Sequence, residues 1–433
     1  MKFQELNQSQ ELNQLQNGRD LEKIRQRNFY AMAFNNFSYG IGQILFFIVY
    51  IPFLYEFTGS IFLTGVITTI GSIVQFLPMP WLGRLSDRYG RKRIWYFDTP
   101  FLVLGLFLFI VADNLFVLIA GNVSLNFGWA ITFSVYLVFV SENSKETKKG
   151  LNFGILTFLL FGGNIIGSYF VFIDSKVNVS LYFLIFIIIL IINQIIFIIF
   201  YSDPIPRKSN PHLNPGKLSK TKKGVWQNIL IKPELRAIVI FFTLDAFIYS
   251  ISLSIYSAGL IDQYHITLQD IALFTLCSNL SLVLFQIPAG HLADKIGKKK
   301  TLILCESFGL SFFTLLIIAF FLWSNGFKSS LLPLLILGQI INAVVATTFI
   351  PSEGIALTNL DENRRAESYG IVSLIRGIGV IPTGVIAGFL IQNVHYITSF
   401  ILTIVGIIFL LWFLSKYFDS ETDKHKIEIQ GKF

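Results

Sequence analysis

Twelve long apolar runs, separated by short polar breaks, make up most of the chain. They cover about Asn28–Tyr55, Ser60–Leu82, Ile94–Val111, Leu115–Val140, Gly150–Phe172, Val179–Tyr201, Arg236–Leu260, Leu268–Ala289, Thr301–Trp323, Ser330–Ile350, Glu367–Ile391 and Tyr396–Phe418. Each is close to the ~20 residues a helix needs to cross a hydrocarbon layer. In lipid a spanning segment must satisfy its own backbone, so the runs predict helices 1 to 12 of an all-α integral membrane protein. One longer polar stretch, Ser202 to Leu235, divides them six and six. Its Pro204, Pro206, Pro211, Pro215 and Pro233, with Lys217, Lys220, Lys222 and Lys223, prevent a packed core and read as a tether. The expected units are a tail 1–27, a six-helix bundle 28–201, a linker 202–235, a second bundle 236–418 and a tail 419–433. The Gln- and Asn-rich Met1 to Arg27 reads as a disordered or surface-lying tail with no cleavable-signal pattern.

Composition sharpens this picture. Of 433 residues 53% are hydrophobic and 14% charged, with 45 Phe. Soluble domains carry roughly a quarter charged residues, so lipid is the solvent for most of this surface. Cys277 and Cys305 fall in apolar runs and read as buried free thiols, neither a disulfide nor a metal site. There is no phosphate-binding Gly-x-x-x-x-Gly-Lys-Ser/Thr loop, no metal-spaced His/Cys cluster and no nucleophile–base pair. The expectations are no enzyme, no cofactor and no metal.

The net charge of +8 could suggest a nucleic-acid partner, but its placement argues otherwise. With the N-terminus in the cytoplasm, 31 of the 34 Lys and Arg fall in cytoplasmic segments. Lys176 and Lys328 fall in outer loops, and Arg376 lies inside a helix. An even number of crossings with both termini inside satisfies the positive-inside rule. The basic charge therefore serves topology.

Two basic breaks match each other. Gly83-Arg84-Leu85-Ser86-Asp87-Arg88-Tyr89-Gly90-Arg91-Lys92-Arg93 follows helix 2, and Gly290-His291-Leu292-Ala293-Asp294-Lys295-Ile296-Gly297-Lys298-Lys299-Lys300 follows helix 8, 207 residues later. The first glycine of each is expected to end the run by freeing the backbone to turn. Helix 1 and helix 7 match too, Arg27 with Arg236 and Asn36 with Asp245. A parallel duplication places a transport site between the halves.

Polar residues inside the helices form stripes. Helix 1 has Asn36, Tyr39 and Gln43; helix 4 has Asn122, Asn126 and Trp129; helix 7 has Asp245, Tyr249, Ser252 and Tyr256; helix 10 has Gln339 and Asn342. Each set shares one helix face, which in lipid must point at protein or water. Either interhelical hydrogen bonds or a cavity would satisfy them, and the stripes together favour a cavity. Asn193 and Gln194 in helix 6 read as packing contacts. Asp245 lies nine residues past Arg236, ~14 Å deep, and Arg376 eleven past Arg365, ~16 Å deep, so both sit near the middle of a ~30 Å core. An arginine there costs roughly 2.5–3.5 kcal/mol on insertion scales and needs a partner or a task.

The pattern G-x-L-x-D-R-x-G-R-K-x resembles the loop between helices 2 and 3 of major facilitator superfamily transporters, and its second copy resembles their weaker repeat between helices 8 and 9. The likeness runs from about Asn28 to about Phe418. It implies two pseudo-symmetric six-helix bundles, helices 1, 4, 7 and 10 around a central cavity, and helices 3, 6, 9 and 12 facing outward. The substrate-binding candidates are then Asn36, Tyr39, Gln43, Asn126, Trp129, Asp245, Tyr249, Gln339, Asn342 and Arg376. Helices 7 and 11 are neighbours in that fold, so Asp245 and Arg376 are expected to face each other, either as a proton-coupling and anion-binding pair or as a fixed ionic staple. The repeated loops imply a cytoplasmic gate of Gly83, Asp87, Arg88, Gly90 and Arg91 with Gly290, Asp294, Lys295, Gly297 and Lys298. There the motif aspartate meets the N-terminal end of helix 11 or helix 5. Asp98, Glu142, Glu306 and Glu353 are candidate partners for the basic residues.

Drug–proton antiporters of the superfamily carry Gly-x-x-x-Gly-Pro-x-x-Gly-Gly in helix 5 and often an arginine in helix 4. Here helix 5 reads Gly162-Gly163-Asn164-Ile165-Ile166-Gly167-Ser168, and no Lys or Arg lies between Leu115 and Val140. The expected function is secondary active transport of a small solute, such as a sugar or organic anion, across the plasma membrane. It would be proton-coupled and carried out by a monomer with no nucleic-acid partner. The alternatives are a multidrug–proton antiporter and a non-transporting membrane receptor or scaffold.

Overall fold

The computed structural model describes residues 2–144, 149–174, 178–202, 233–296, 298–357 and 365–417. Among them twelve helices are long and apolar enough to span a membrane, and there is no strand. Helix 1 is Lys2–Thr58. Helices 2 to 6 are Ile61–Tyr89, Arg91–Ile110, Leu115–Asn143, Leu151–Ile173 and Val179–Phe200. Helices 7 to 12 are Arg236–Tyr264, Leu268–Ile296, Lys298–Ser324, Leu331–Leu357, Ala366–Asn393 and Tyr396–Tyr417. The linker residues 203–232, the C-terminal residues from 418 and Gly297 lie outside the described residues, as do the side-chain positions of Gly290, Asp294, Lys298 and Glu353.

Two expectations change. The N-terminal residues continue helix 1 rather than forming an irregular tail. Gln, Glu and Leu favour a helix, and no proline interrupts them before Pro52. Nor does helix 2 end at Gly83. It bends at Leu77–Pro78 and runs on to Tyr89, and the chain turns at Gly90, whose φ of +103° suits glycine. Gly290 likewise lies inside helix 8.

In lipid, apolar burial does little to hold one helix against another; close packing and interhelical hydrogen bonds do that. Helices 1 and 5 show the first. A Cβ at Gly163 or Gly167 would strike the Phe37 or Ile41 carbonyl of helix 1, so the glycines of helix 5 let two backbones meet. Asn193 and Gln194 show the second. Asn193 accepts from Ser38 of helix 1 at 2.7 Å, and Gln194 donates to the Tyr96 carbonyl of helix 3 at 3.0 Å. Aromatic rings fill each bundle. Phe46 lies 4.7 Å from Tyr50 and 5.4 Å from Trp129, while Phe320 stacks 4.3 Å from Tyr264. Apolar side chains also stay exposed, such as Ile191, Ile195 and Ile199 on helix 6 and Ile401, Val405 and Ile408 on helix 12. Those are faces for lipid tails.

The halves meet along helices 2 and 11. At the motif end a Cβ at Gly83 would strike the Ala366 carbonyl; at the far end one at Gly65 would strike the Gly384 carbonyl. Helix 8 also meets helix 5, where Asn164 donates to Asn279 at 3.2 Å.

Candidate functional site

Between those two contacts lies a cavity of about 260 Å³. Helix 7 contributes Asp245, Tyr249 and Ser250; helix 11 contributes Tyr369, Ser373 and Arg376; helices 2 and 4 contribute Phe76, Met79 and Phe133. Two glycines bring the charged pair to one place. Gly379 lets helix 11 approach the Thr243 carbonyl of helix 7, and Gly377 admits the Phe76 ring beside Arg376. One wall is thus polar and ionisable, the opposite wall apolar.

A second acid stands behind the polar wall. Glu306 of helix 9 is fully buried, and its Oε2 accepts from the Tyr249 hydroxyl at 3.3 Å. Its Oε1 has no hydrogen-bond partner among the described residues, and the Asp245 carboxyl is close enough to act on Glu306 electrostatically. Gly309, one turn on, makes this possible, because a Cβ there would fall on the Tyr249 hydroxyl.

The first motif forms a charge cluster at one end of the cavity. Arg91 is 2% exposed; it pairs with Asp87 at 2.6 Å and Glu142 at 2.8 Å and donates to Ser86 at 2.7 Å. Asp87 also accepts from the backbone N–H of Glu367 at 2.9 Å. That places its carboxylate at the positive end of helix 11, across the interface between halves. Arg84 reaches Glu367 at 2.6 Å, but its exposed side chain makes this a weak tie. Arg88 is exposed and lies over the Tyr89 ring, and Lys295 is exposed too. Lys92 donates to the Ile198 and Tyr201 carbonyls at the end of helix 6, and Lys299 to the Ser415 carbonyl at the end of helix 12. Each ammonium meets the negative end of a helix dipole. Of the acids expected beside basic residues, Glu142 is there. Asp98 instead accepts from Thr99 and Thr132, and Glu306 faces Asp245, because both acids lie too deep to reach the basic turns.

At the far end Tyr55 of helix 1 donates to Asp262 of helix 7, and Gln392 of helix 11 accepts from Ser60 and from the Phe62 N–H. These cross-half contacts have no motif.

Of the residues expected around a cavity, Asp245, Tyr249 and Arg376 line this one. The helix 1 and helix 4 stripes are tied inside the first bundle. Asn36 donates to Tyr136 at 2.7 Å, Trp129 donates to the Tyr39 hydroxyl at 3.1 Å, and Asn126 donates to Asn122. Gln43 is half-buried with an unpartnered Oε1. Gln339 and Asn342 are half-buried on helix 10, Gln339 beside Tyr256. Sequence reasoning missed Ser250, Tyr369, Ser373 and the apolar wall, and it set Glu306 beside the basic turns rather than behind Asp245.

A family model described as Major Facilitator Superfamily matches residues 32–258 and 239–432. The chain belongs to the Major Facilitator Superfamily. Among curated proteins, this superfamily member is 22% identical over 335 residues to "Hippocampus abundant transcript-like protein 1" of Bos taurus, a match covering 73% of this chain and 61% of that protein. The chain thus spans about three fifths of that relative's length. Among solved structures it is similar to the human organic anion transporter MFSD10 (TETRAN), with TM-score 0.67, 13% identity, and coverage of 90% and 99%. It is similar to a D-xylose-proton symporter, with TM-score 0.69, 11% identity, and coverage of 91% and 98%. A bacterial homologue of the human lysosomal transporter Spinster, inward-facing and unoccupied, has TM-score 0.63, 14% identity, and coverage of 90% and 96%. At such identities the likeness is one of fold. The chain is a multi-pass membrane protein of this superfamily.

Proposed function

We propose that the protein is a secondary active transporter that moves a small organic anion or similar metabolite by alternating access, coupled to protons. The observation that carries this is the joint presence of Asp245 and Arg376, from different helices, on one cavity between the halves. The guanidinium offers a carboxylate or phosphate a planar, permanently charged partner. Asp245 offers a proton-accepting group in the same wall, and intramembrane ionisable residues of this kind mark substrate and proton paths. Alternating access follows from the two cross-half contacts. The Asp87 cluster and the Tyr55–Asp262 contact lie at opposite ends, and opening one while keeping the other exposes the cavity to one side. The neighbours described as an organic anion transporter and a proton symporter support the reading, which places the protein in the plasma membrane with both termini in the cytoplasm.

A second reading, efflux of amphipathic drugs, draws on the apolar wall of Phe76, Met79 and Phe133. The volume favours the first reading, since drug-sized ligands occupy roughly 300–1,000 Å³. A thermal-shift screen of purified protein against carboxylates, phosphates, sugars, amino acids and lipophilic cations ranks the classes. Uptake of the best stabiliser into proteoliposomes, with and without a pH gradient, then tests transport. Accumulation that needs the gradient and fails in Arg376→Gln is the expected result. Gradient-independent uptake would remove proton coupling, and a stabilising lipophilic cation that Arg376→Gln still binds would select the second reading.

A further inference from the structure

Glu306 does not line the cavity; it sits one layer behind Asp245, closed off from solvent. The groups around it are few. Helix 7 brings Asp245 and the Tyr249 hydroxyl. On its own helix Cys305 turns to the Val345 carbonyl of helix 10. The only ionisable residue of helix 10 is Glu353, whose side chain is not described, and helix 12 carries none between Tyr396 and Lys416. Helix 8 holds Asp270 and Cys277 toward the far end and His291, Asp294 and Lys295 toward the motif end. Helix 11 brings Arg376 to the cavity that Asp245 lines. No salt bridge reaches Glu306 among the described residues. Two carboxylates side by side in a low dielectric repel each other, and one proton taken up by the pair relieves that repulsion.

We propose that Glu306 is the store for the coupling proton and Asp245 its entrance. This rests on the reading of the cavity as a proton-coupled solute site. A proton reaching the cavity binds Asp245 while Glu306 is a carboxylate. The O–H bond on Asp245 then breaks and one forms on Glu306, leaving Asp245 a carboxylate and the pair's total charge unchanged. The Tyr249 hydroxyl, seated over Gly309, holds the Glu306 carboxyl toward Asp245. With the proton stored behind the wall, Asp245 is free to answer the charge of Arg376 or to yield it to an anionic solute. Coupling then depends on two carboxyls in series, only one of which touches the cavity.

The test needs no solute. Infrared spectra of the full chain in lipid nanodiscs report the C=O stretch of a protonated carboxyl and its shift when water is replaced by D2O. At neutral pH the wild type is expected to show such a band beyond whatever Asp98→Asn removes. Glu306→Gln, which keeps the side-chain shape and an acceptor for Tyr249, should abolish it. Asp245→Asn should keep it but slow its deuterium shift by about 100-fold, the low end of what a positioned proton-transfer group contributes. A band that survives Glu306→Gln overturns the proposal, and so does deuterium exchange in Asp245→Asn as fast as in the wild type. If Glu306→Gln does not elute as a folded protein, the exchange rate in Asp245→Asn decides alone. Failure to transport any trial solute would count against the transport reading and leave the band to judge the proton store.

Discussion

Asn36 and Asp245 occupy matching positions in the two halves, 209 residues apart, and their surroundings could hardly differ more. Asn36 is neutral and held by Tyr136 and the Leu156 carbonyl within its own bundle. Asp245 stands in the cavity wall with Arg376, beside a second buried acid. The contrast extends beyond this pair. In the first half Tyr50 donates to Asn122, Asn122 donates to the Ile67 carbonyl, and Asn126 donates to Asn122, so helices 1, 2 and 4 close their polar groups on one another. Meanwhile the frame stayed symmetric, since Lys92 and Lys299, 207 residues apart, both hold the ends of the last helix of their half. The lesson is that two halves can share a frame and differ in chemistry. One bundle ties most of its helix 1 and helix 4 polar groups to one another, and the other sets Asp245 and Arg376 on the cavity.

The largest expected effect sets an arginine of one half against an arginine of the other. Arg91→Ala leaves Asp87 and Glu142 without their buried cation, and breaking such a pair costs about 3–5 kcal/mol. Arg88→Ala removes an exposed charge and should cost within about 0.5 kcal/mol. Arg376→Gln should behave in the opposite way to Arg91→Ala. Thermal unfolding in detergent stays close to wild type, while solute affinity falls by about 30-fold or more, the equivalent of about 2 kcal/mol for a buried charge contact. Unfolding curves and uptake measured on the same three variants decide it. An Arg376→Gln protein that melts like Arg91→Ala would make that arginine a staple and dissolve the contrast between halves.

Next in size is the neutral scaffold. Asn36→Leu strands the Tyr136 hydroxyl and should destabilise by about 1–3 kcal/mol, with uptake per folded molecule near wild type. Lost uptake with unchanged stability would return helix 1 to the transport site and shrink the contrast.

How much of this could be read beforehand depends on what sets each feature. Lipid imposes length and apolarity on every crossing, so the twelve helices and the sixfold division are legible in any window of the chain. Asp245 and Arg376 are legible because an ionised group at that depth is so costly. The polar stripes were ambiguous for a physical reason. A face that must avoid lipid is satisfied equally by a cavity or by a neighbouring helix, and only packing reveals that Asn126 faces Gly71 of helix 2. Glu306 carried a usable signal. It lies eight residues past Lys298, ~12 Å deep by helical rise, close to the depth of Asp245 and well beyond a basic turn. The Gly83 expectation failed because a glycine that ends a helix and one that admits a neighbouring backbone look alike in sequence; Gly90, with positive φ, is the turn.

The smallest effect belongs to the far end, where each half gives one polar group to a single contact and the contrast should fade. Tyr55 of helix 1 and Asp262 of helix 7 meet there across the interface. Tyr55→Phe removes one hydrogen bond to a partly exposed carboxylate, worth about 1 kcal/mol. If that contact holds only the closed arrangement of its end, its loss shifts the balance toward opening there by about fivefold. Labelling of a cysteine placed at Gln392, in a background without Cys277 and Cys305, should speed up by a similar factor, and Asp262→Asn should give a smaller change in the same direction. Equal labelling in all three proteins would mean that the far end is held by the glycine contact of helices 2 and 11 alone. The closing force there would then be backbone packing, and the polar pair would have no part in alternation.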